Sequence, residues 1–276
     1  MAIVTLTTDW GTDGAYAGAV KGRLFSLCPD VTLIEISHSI KPYDIGHAAF
    51  VLRNCYKLYP PGTIHVVGIG GNVDISNSQA QYILIEKDGY YFMGMNDGVW
   101  GVIFDLIPTE IYNLRTSKNG DMFTNAFPEL EIYSSTIHKI INGKKPSEIG
   151  VKMPSMNMKY PTIPAAGDAY INGEIIFIDS YGNAITNISR YDFDSVHKGR
   201  DYNILISTVR NSISHINQSY NESSNGSLLA IFSYSGLLEI AIANGNAREL
   251  LNLSVNSPIR IVFDDKKPVT IVGQRT

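Results

Sequence analysis

Aspartate 9 is the first residue whose type and place suggest chemistry. It stands at the end of the β-rich run Ala2–Thr7, inside Thr8-Asp9-Trp10-Gly11. Acidic residues are poor strand formers, so a carboxylate at the end of a buried strand needs a reason. In open α/β sheets, ligands sit at the carboxyl ends of strands. A carboxylate there, followed by a glycine turn, can accept two hydrogen bonds from a diol such as a ribose. It could equally serve as a turn or helix-cap residue. The second candidate is Asp179-Ser-Tyr181-Gly-Asn183-Ala-Ile-Thr186-Asn187, which follows the apolar run Ile176-Phe-Ile. Asp, Gly and Asn are ordinary turn residues. Tyr181 among them is less usual and offers a face on which an adenine could stack.

Other familiar chemistries fit poorly. Gly68-Ile69-Gly70-Gly71 follows a strand pattern, but Asn72-Val-Asp-Ile-Ser-Asn-Ser has no helical period behind it, and no P-loop lysine is present. The six histidines, His38, His47, His65, His138, His197 and His215, lack metal-ligand spacing, so no metal is expected. Each reads as a surface or packing residue before a ligand; His38, just after a strand, could also line a site. There is no Gly-x-Ser-x-Gly nucleophile elbow. The two cysteines, Cys28 and Cys55, form no C-x-x-C pair, which argues against a zinc site or a disulfide framework.

The elements that must hold these residues fall into two kinds. The first half alternates strands and helices: strands at Ala2–Thr7, Val31–Ile36 and Thr63–Val67, and helices at Ala15–Leu27 and Ile45–Tyr59. A hairpin at Tyr82–Glu86 and Tyr90–Met93, a buried element at Gly98–Leu106 and a helix at Ser134–Asn142 follow. This predicts an α/β domain over 1–160 with a mostly parallel sheet. Residues 161–170, rich in proline and poor in apolar anchors, read as a linker. Residues 171–276 carry short strands at Gly173–Asp179, Asp201–Ser207, Leu228–Phe232 and Ile259–Phe263, with one helix near Ala241–Leu251. They predict an all-β barrel, with polar Asn217–Ser227 as a hairpin loop.

At 276 residues and 44% hydrophobic, the chain is long enough for two cores. A net charge of −4 gives no electrostatic footprint for nucleic acid. The start lacks a basic region and a long apolar run, so no membrane partner is expected and the cytoplasm is the expected location.

Taken in order, seven segments resemble the S-adenosylmethionine hydroxide adenosyltransferase family, relatives of the fluorinating and chlorinating enzymes. They are Thr8-Asp9-Trp-Gly, Lys21-Gly22 with Cys28-Pro-Asp-Val31, Ser37-His38-Ser-Ile-Lys-Pro-Tyr43-Asp44-Ile, Tyr59-Pro-Pro-Gly-Thr-Ile-His-Val-Val, Asn96-Asp97-Gly98-Val, Ile178–Asn187 and Ser233-Tyr-Ser-Gly236-Leu-Leu-Glu-Ile-Ala241. The resemblance implies an N-terminal α/β domain, a C-terminal β-barrel and a homotrimer. Its active site would lie between one subunit's N-domain and its neighbour's C-domain. S-adenosylmethionine would be substrate or ligand, with no cofactor. By position Asp9 would hold the ribose hydroxyls and Tyr43 would pack beside the nucleoside. Asp179 would meet the methionine ammonium, Tyr181 and Asn183 the adenine, and the segment around Tyr234 and Ser235 the outer parts of the ligand.

The family chemistry is displacement at the ribose C5′ carbon, where a sulfonium leaves as a neutral thioether. Catalysis then lies in aiming the nucleophile and stripping its water. In hydrolytic members an Asp–Arg–His set surrounds the attacking water. Here the Asp position is Gly68. No arginine lies between Arg53 and Arg115, and the His position in the ungapped match Phe127-Pro128-Glu129-Leu130-Glu131 is Pro128. A gapped match puts Lys118 there instead. Gly68, Ile69 and Pro128 would leave the nucleophile position apolar and wider, with Asn72, Asp74 and Lys118 as the nearest polar substitutes. Two readings follow: a diverged adenosyltransferase with weak or altered activity, or a nucleoside-binding protein without catalysis.

Overall fold

The computed structural model describes residues 2–70, 81–104, 106–114, 127–206 and 212–264. The chain divides into two compact units, 1–161 and 162–276.

In the first unit, β1 (Ile3–Thr8), α1 (Ala15–Leu27), β2 (Thr32–Ser37), α2 (Ile45–Arg53) and β3 (Ile64–Gly68) alternate as the sequence pattern predicts. β4 (Tyr82–Lys87) and β5 (Tyr90–Met95) form the expected hairpin. α3 (Val99–Ile103), β6 (Glu110–Leu114), α4 (Glu129–Ile141), α5 (Pro146–Ile149) and β7 (Val151–Lys152) complete the unit. The sheet order is β2-β1-β3-β5-β4-β6-β7. It is parallel from β2 to β5 and antiparallel from β4 onward. Both faces are covered, which is why the strands read as continuous apolar runs. Ala48, Ala49 and Leu52 of α2 and Trp100 and Ile103 of α3 pack on one face against Val67, Ile83, Ile85 and Phe92. Val20 and Leu24 of α1 and Tyr133 and Ile137 of α4 pack on the other against Val4, Leu6, Val66 and Leu84.

Two helix boundaries differ from the periodicity. The helix expected to reach Tyr59 stops at Arg53, and a separate 3₁₀ turn spans Tyr56–Leu58. α4 begins five residues before the expected Ser134. Pro128 occupies its N-cap with helical φ/ψ of −63° and −24°, and Glu129 and Glu131 lie in the first turn. A preset proline φ and acidic residues near the positive helix end both favour this start.

In the second unit, β8 (Ala165–Gly167), β9 (Tyr170–Ile178), β10 (Ala184–Ser189), α6 (Arg190–His197), β11 (Asp201–Ile206), β12 (Ser212–Ile213), β13 (Ile216–Asn217), β14 (Leu228–Phe232), β15 (Leu237–Ile242), α7 (Ala247–Leu250) and β16 (Pro258–Asp264) follow in order. The sheet runs β12-β11-β16-β9-β10-β15-β14-β13, with β8 on β9. This curved, nearly closed barrel-like sheet wraps Ile171, Ile175, Ile188, Ile204, Leu238, Ile240 and Ile261.

Four expectations are corrected here. Residues 165–167 of the expected linker pair with β9 and belong to the sheet. Only Ala247–Leu250 of the helix expected near Ala241–Leu251 is helical; Leu237–Ile242 is instead a strand that forms a hairpin with β14. The polar 217–227 stretch is not a hairpin loop, because β13 runs parallel to β14. Finally, α6 was unforeseen. Its signal was present in Ser189-Arg-Tyr-Asp192, a capping box in which Ser189 Oγ accepts from the Asp192 backbone N–H and the Asp192 carboxylate accepts from the Ser189 N–H.

Candidate active site

β1 and β3 are adjacent and parallel, with Thr8 opposite Gly68. Their carboxyl ends therefore bring Asp9, Trp10 and the Gly68-Ile69-Gly70 turn together. Asp9 Oδ2 accepts from the Tyr43 N–H at 3.0 Å and from the Gly70 N–H at 3.1 Å. The Asp9 N–H donates to the Gly68 carbonyl at 3.1 Å. One carboxylate oxygen thus ties three loops. Tyr43 is held at φ +64°, a left-handed conformation that bulky residues rarely adopt. Such strain, on the order of 1–3 kcal/mol, persists where surrounding structure enforces it and concentrates at ligand sites. Among the described residues Asp9 Oδ1 has no hydrogen-bond partner, so the carboxylate keeps an acceptor for a diol.

Gly68 is occupied in an unexpected way. A Cβ at this position would lie 2.5 Å from Trp10 Cζ2 and 2.8 Å from Trp10 Cε2. The space is neither wider nor open: the indole of Trp10 fills it. Phe127 meets that ring edge-on at 5.2 Å, while Tyr133 and His38 lie nearly parallel to it at 6.5 and 6.3 Å. His38 is a packing residue in this arrangement. It is buried, its Nδ1 pairs with Thr8 Oγ1 at 2.6 Å, and burial lowers its pKa.

Pro128 caps α4 and contributes no functional side chain, and its neighbour is a buried carboxylate. Glu129 is only 3% exposed. Its Oε1 accepts from the Tyr82 hydroxyl at 2.9 Å, and its enclosed Oε2 has no partner among the described residues. An enclosed acceptor left unmet costs about 1–3 kcal/mol. Burial raises the Glu129 pKa first, and the charge of Asp9 raises it further, against the lowering effects of a backbone N–H and the Tyr82 hydroxyl. One turn along α4, Tyr133 donates to the Val67 carbonyl at 3.1 Å and meets Tyr82 edge-on at 5.9 Å. A Glu–Tyr pair therefore backs the end of β3. Sequence reasoning missed both Glu129 and the role of Trp10. A glutamate inside the apolar α4 pattern was the available signal for the first. Asn72, Asp74 and Lys118 lie outside the described residues.

In the second unit, Asp179 organises its own turn. Oδ1 accepts from the Tyr181 and Asn183 N–H groups at 2.9 and 2.8 Å, and Oδ2 accepts from Asn183 Nδ2 at 3.0 Å. Gly182 has φ +83°, and a Cβ there would strike the Asn246 amide at 2.0 Å, so glycine is required. Tyr181 is 78% exposed and Tyr234 84% exposed. Ser235 Oγ pairs with Ser233 Oγ at 2.8 Å and accepts from the Leu237 N–H at 3.3 Å, so it shapes the β14–β15 turn. Behind Asp179, buried Glu239 accepts a 2.5 Å bond from the Tyr220 hydroxyl. Burial raises the Glu239 pKa, and the charge of Asp179 adds to that.

The N-terminal α/β unit and the barrel-like unit define a two-domain class, and comparison with known proteins gives it a name. Residues 4–150 match the model of the SAM hydroxide adenosyltransferase N-terminal domain, and residues 173–260 match that of the C-terminal domain. The chain belongs to the SAM hydroxide adenosyltransferase family. It is 29% identical over 277 residues to the (R)-S-adenosyl-L-methionine hydrolase of Methanocaldococcus jannaschii, covering 95% of this chain and 96% of that protein. Its identity to the (R)-S-adenosyl-L-methionine hydrolase of Thermus thermophilus is 22%, covering 95% of this chain and 100% of the relative. A fluorinase of Nocardia brasiliensis is 32% identical over 62 residues, or 22% of this chain and 21% of the fluorinase. The crystal structure of an uncharacterized conserved protein from Thermotoga maritima shares the fold, with a TM-score of 0.81 at 22% identity over 95% of this chain and 100% of that one. Among the described residues no helix is long and apolar enough to cross a membrane.

Proposed function

We propose that this protein binds adenosine or S-adenosylmethionine through Asp9 and slowly hydrolyses S-adenosylmethionine to adenosine and methionine. The observation that carries the binding reading is the Asp9 carboxylate, with one oxygen fixing three loops and the other left for the ribose diol. Relatives named as S-adenosylmethionine hydrolases, matched along nearly the whole chain, support the chemistry. The ligand would also meet Asp179, Tyr181, Asn183, Tyr234 and Ser235 of a neighbouring subunit in a homotrimer, with Tyr43 beside the nucleoside. The highly exposed rings of Tyr181 and Tyr234 favour such an interface.

Slow turnover follows from what stands at the triad positions. Gly68 is packed under Trp10, Pro128 caps a helix, and the arginine is absent. The same packing favours a second reading, in which the protein binds the nucleoside without turning it over. Chromatography of the purified protein incubated with S-adenosylmethionine, beside a triad-bearing relative, separates the two. The expected rate is at least about 100-fold below the relative's, since one well-placed acid–base group is typically worth that much. No adenosine above the uncatalysed background selects the binding reading. A rate equal to the relative's contradicts the account of the triad positions.

A further inference from the structure

We propose that His47 is a positioning residue of the nucleoside site, its unprotonated Nδ1 holding the turn that carries Tyr43 against the Asp9 carboxylate. The inference rests on the reading of Asp9 as the ribose-binding residue above. Lys41-Pro42-Tyr43-Asp44 lies between β2 and α2. The Asp44 N–H donates to the Lys41 carbonyl at 3.0 Å. Proline at the second position and φ +64° at the third make the pattern of a type II turn, whose third position favours glycine or asparagine. A tyrosine there is held by bonds from outside the turn. One comes from Asp9, whose Oδ2 accepts from the Tyr43 N–H. Two more come from His47, in the first turn of α2. Its Nδ1 accepts from the Lys41 N–H at 3.2 Å, and its own N–H donates at 2.9 Å to Oδ1 of Asp44, the N-cap. His47 thus grips both ends of the turn, with Tyr43 between the two grips. The Tyr43 ring in turn covers Gly70, where a Cβ would lie 3.6 Å from Tyr43 Cδ1, and the Gly70 N–H is the other donor to Asp9 Oδ2.

A backbone N–H can only donate, so Nδ1 must accept and the ring proton sits on Nε2. Protonation turns Nδ1 into a donor facing a donor. The bond to Lys41 is then lost and the first residue of the turn is released. Binding of the nucleoside therefore selects the unprotonated ring. Burial holds the His47 pKa below the ordinary histidine value, and the carboxylate of Asp44 offsets this in part. Of the elements packed on α2, α3 and β1 carry no ionisable side chain. The far end of the helix carries Arg53, with Tyr56 and Lys57 in the 3₁₀ turn after it. Lys41, in the turn itself, is exposed. Affinity should be level above the ordinary histidine value of about 6.5 and fall as pH drops below it.

The test is calorimetric titration of adenosine into the parent, His47→Ala and His47→Asn between about pH 8 and about pH 4.5, a range that spans histidine titration. His47→Asn places an amide oxygen where Nδ1 stands and does not titrate. At the upper pH His47→Ala should bind about 3- to 10-fold more weakly than the parent, the effect of losing one ordinary hydrogen bond, and His47→Asn within about threefold of the parent. Toward the lower pH the parent should lose at least as much affinity as His47→Ala has lost, because protonation replaces the acceptor with an opposing donor. Both variants should lack that fall. A parent whose affinity stays level, or a fall that His47→Asn keeps, overturns the proposal and leaves the Asp9 site intact. So does a His47→Ala variant with the parent's affinity and pH profile. Unchanged affinity in Asp9→Ala removes the site itself and the proposal with it.

Discussion

Each unit holds a partly exposed aspartate with a buried glutamate behind it, and each glutamate accepts from a tyrosine hydroxyl. Asp9 stands before Glu129 and Tyr82, and Asp179 before Glu239 and Tyr220. The two sets are spent differently. Asp179 uses both oxygens within five residues of chain, and neither oxygen of Glu239 is both enclosed and unpartnered. Asp9 uses one oxygen to join loops up to 61 positions apart, and Glu129 keeps an enclosed oxygen unmet. Unmet acceptors cost stability and are retained where a ligand or a reaction satisfies them. The first set keeps acceptors unmet at the strand ends, whereas the second closes on itself and holds the turn that carries Tyr181.

The largest expected difference between the units is in acid. Both buried histidines, His38 and His65, lie in the first unit. Burial pushes the His65 pKa down to about 4, and its Nδ1 pairs with Thr5 Oγ1 at 2.8 Å. A depressed folded-state pKa contributes stability above the unfolded value and loses it as pH falls. His65 alone should therefore cost the first unit about 3 kcal/mol as pH drops from roughly 6.5 to 4, offset in part by the carboxyls of Glu129 and Asp97, whose pKa values, raised by burial, favour the folded state as they protonate. Hydrogen exchange resolved along the chain should show protection falling in residues 1–161 ahead of 162–276. Equal loss in both units would remove this contrast.

Next in size is the Trp10–Gly68 contact. Gly68→Ala places a methyl group 2.5 Å from the indole and should cost about 1–3 kcal/mol in denaturant unfolding. Trp10→Leu in the same chain should recover part of that cost, whereas additive losses would mean the two residues do not compete for space. By the same contact, Gly68→Asp with Pro128→His should not restore hydrolysis while Trp10 stands. Smallest is Asp179→Asn. It replaces charge-assisted bonds with neutral ones inside a turn whose other contacts remain, so a loss of about 1 kcal/mol is expected. A loss several times larger would show that this turn carries more than its local geometry.

The sequence revealed what is local. α1 matches its expected bounds, and β1 to β5 fall within one or two residues of theirs, because apolar strands and an uninterrupted helix leave clear periods; the short β6 and β7 were not expected. Asp9, Asp179 and Asn183 stood out because carboxylates and amides end apolar strands. What stayed hidden depends on distant pairing. Nothing near Gly68 announces that residue 10 fills its space. The Ala241 end of β15 reads as the start of a helix until β14 and β10 pair with that strand on either side. Glu129 is hidden in the sequence because a glutamate in a helix's first turn is ordinary, and only the packing of α4 against Tyr82 and Tyr133 shows that it is buried.

The central claim is that the free oxygen of Asp9 takes the ribose. Calorimetric titration of adenosine into the parent and into Asp9→Ala tests it most directly. Loss of a charged acceptor should weaken binding by roughly 1.5–3 kcal/mol, on the order of 10- to 150-fold. Equal affinity in the two proteins would place the nucleoside elsewhere and contradict the account.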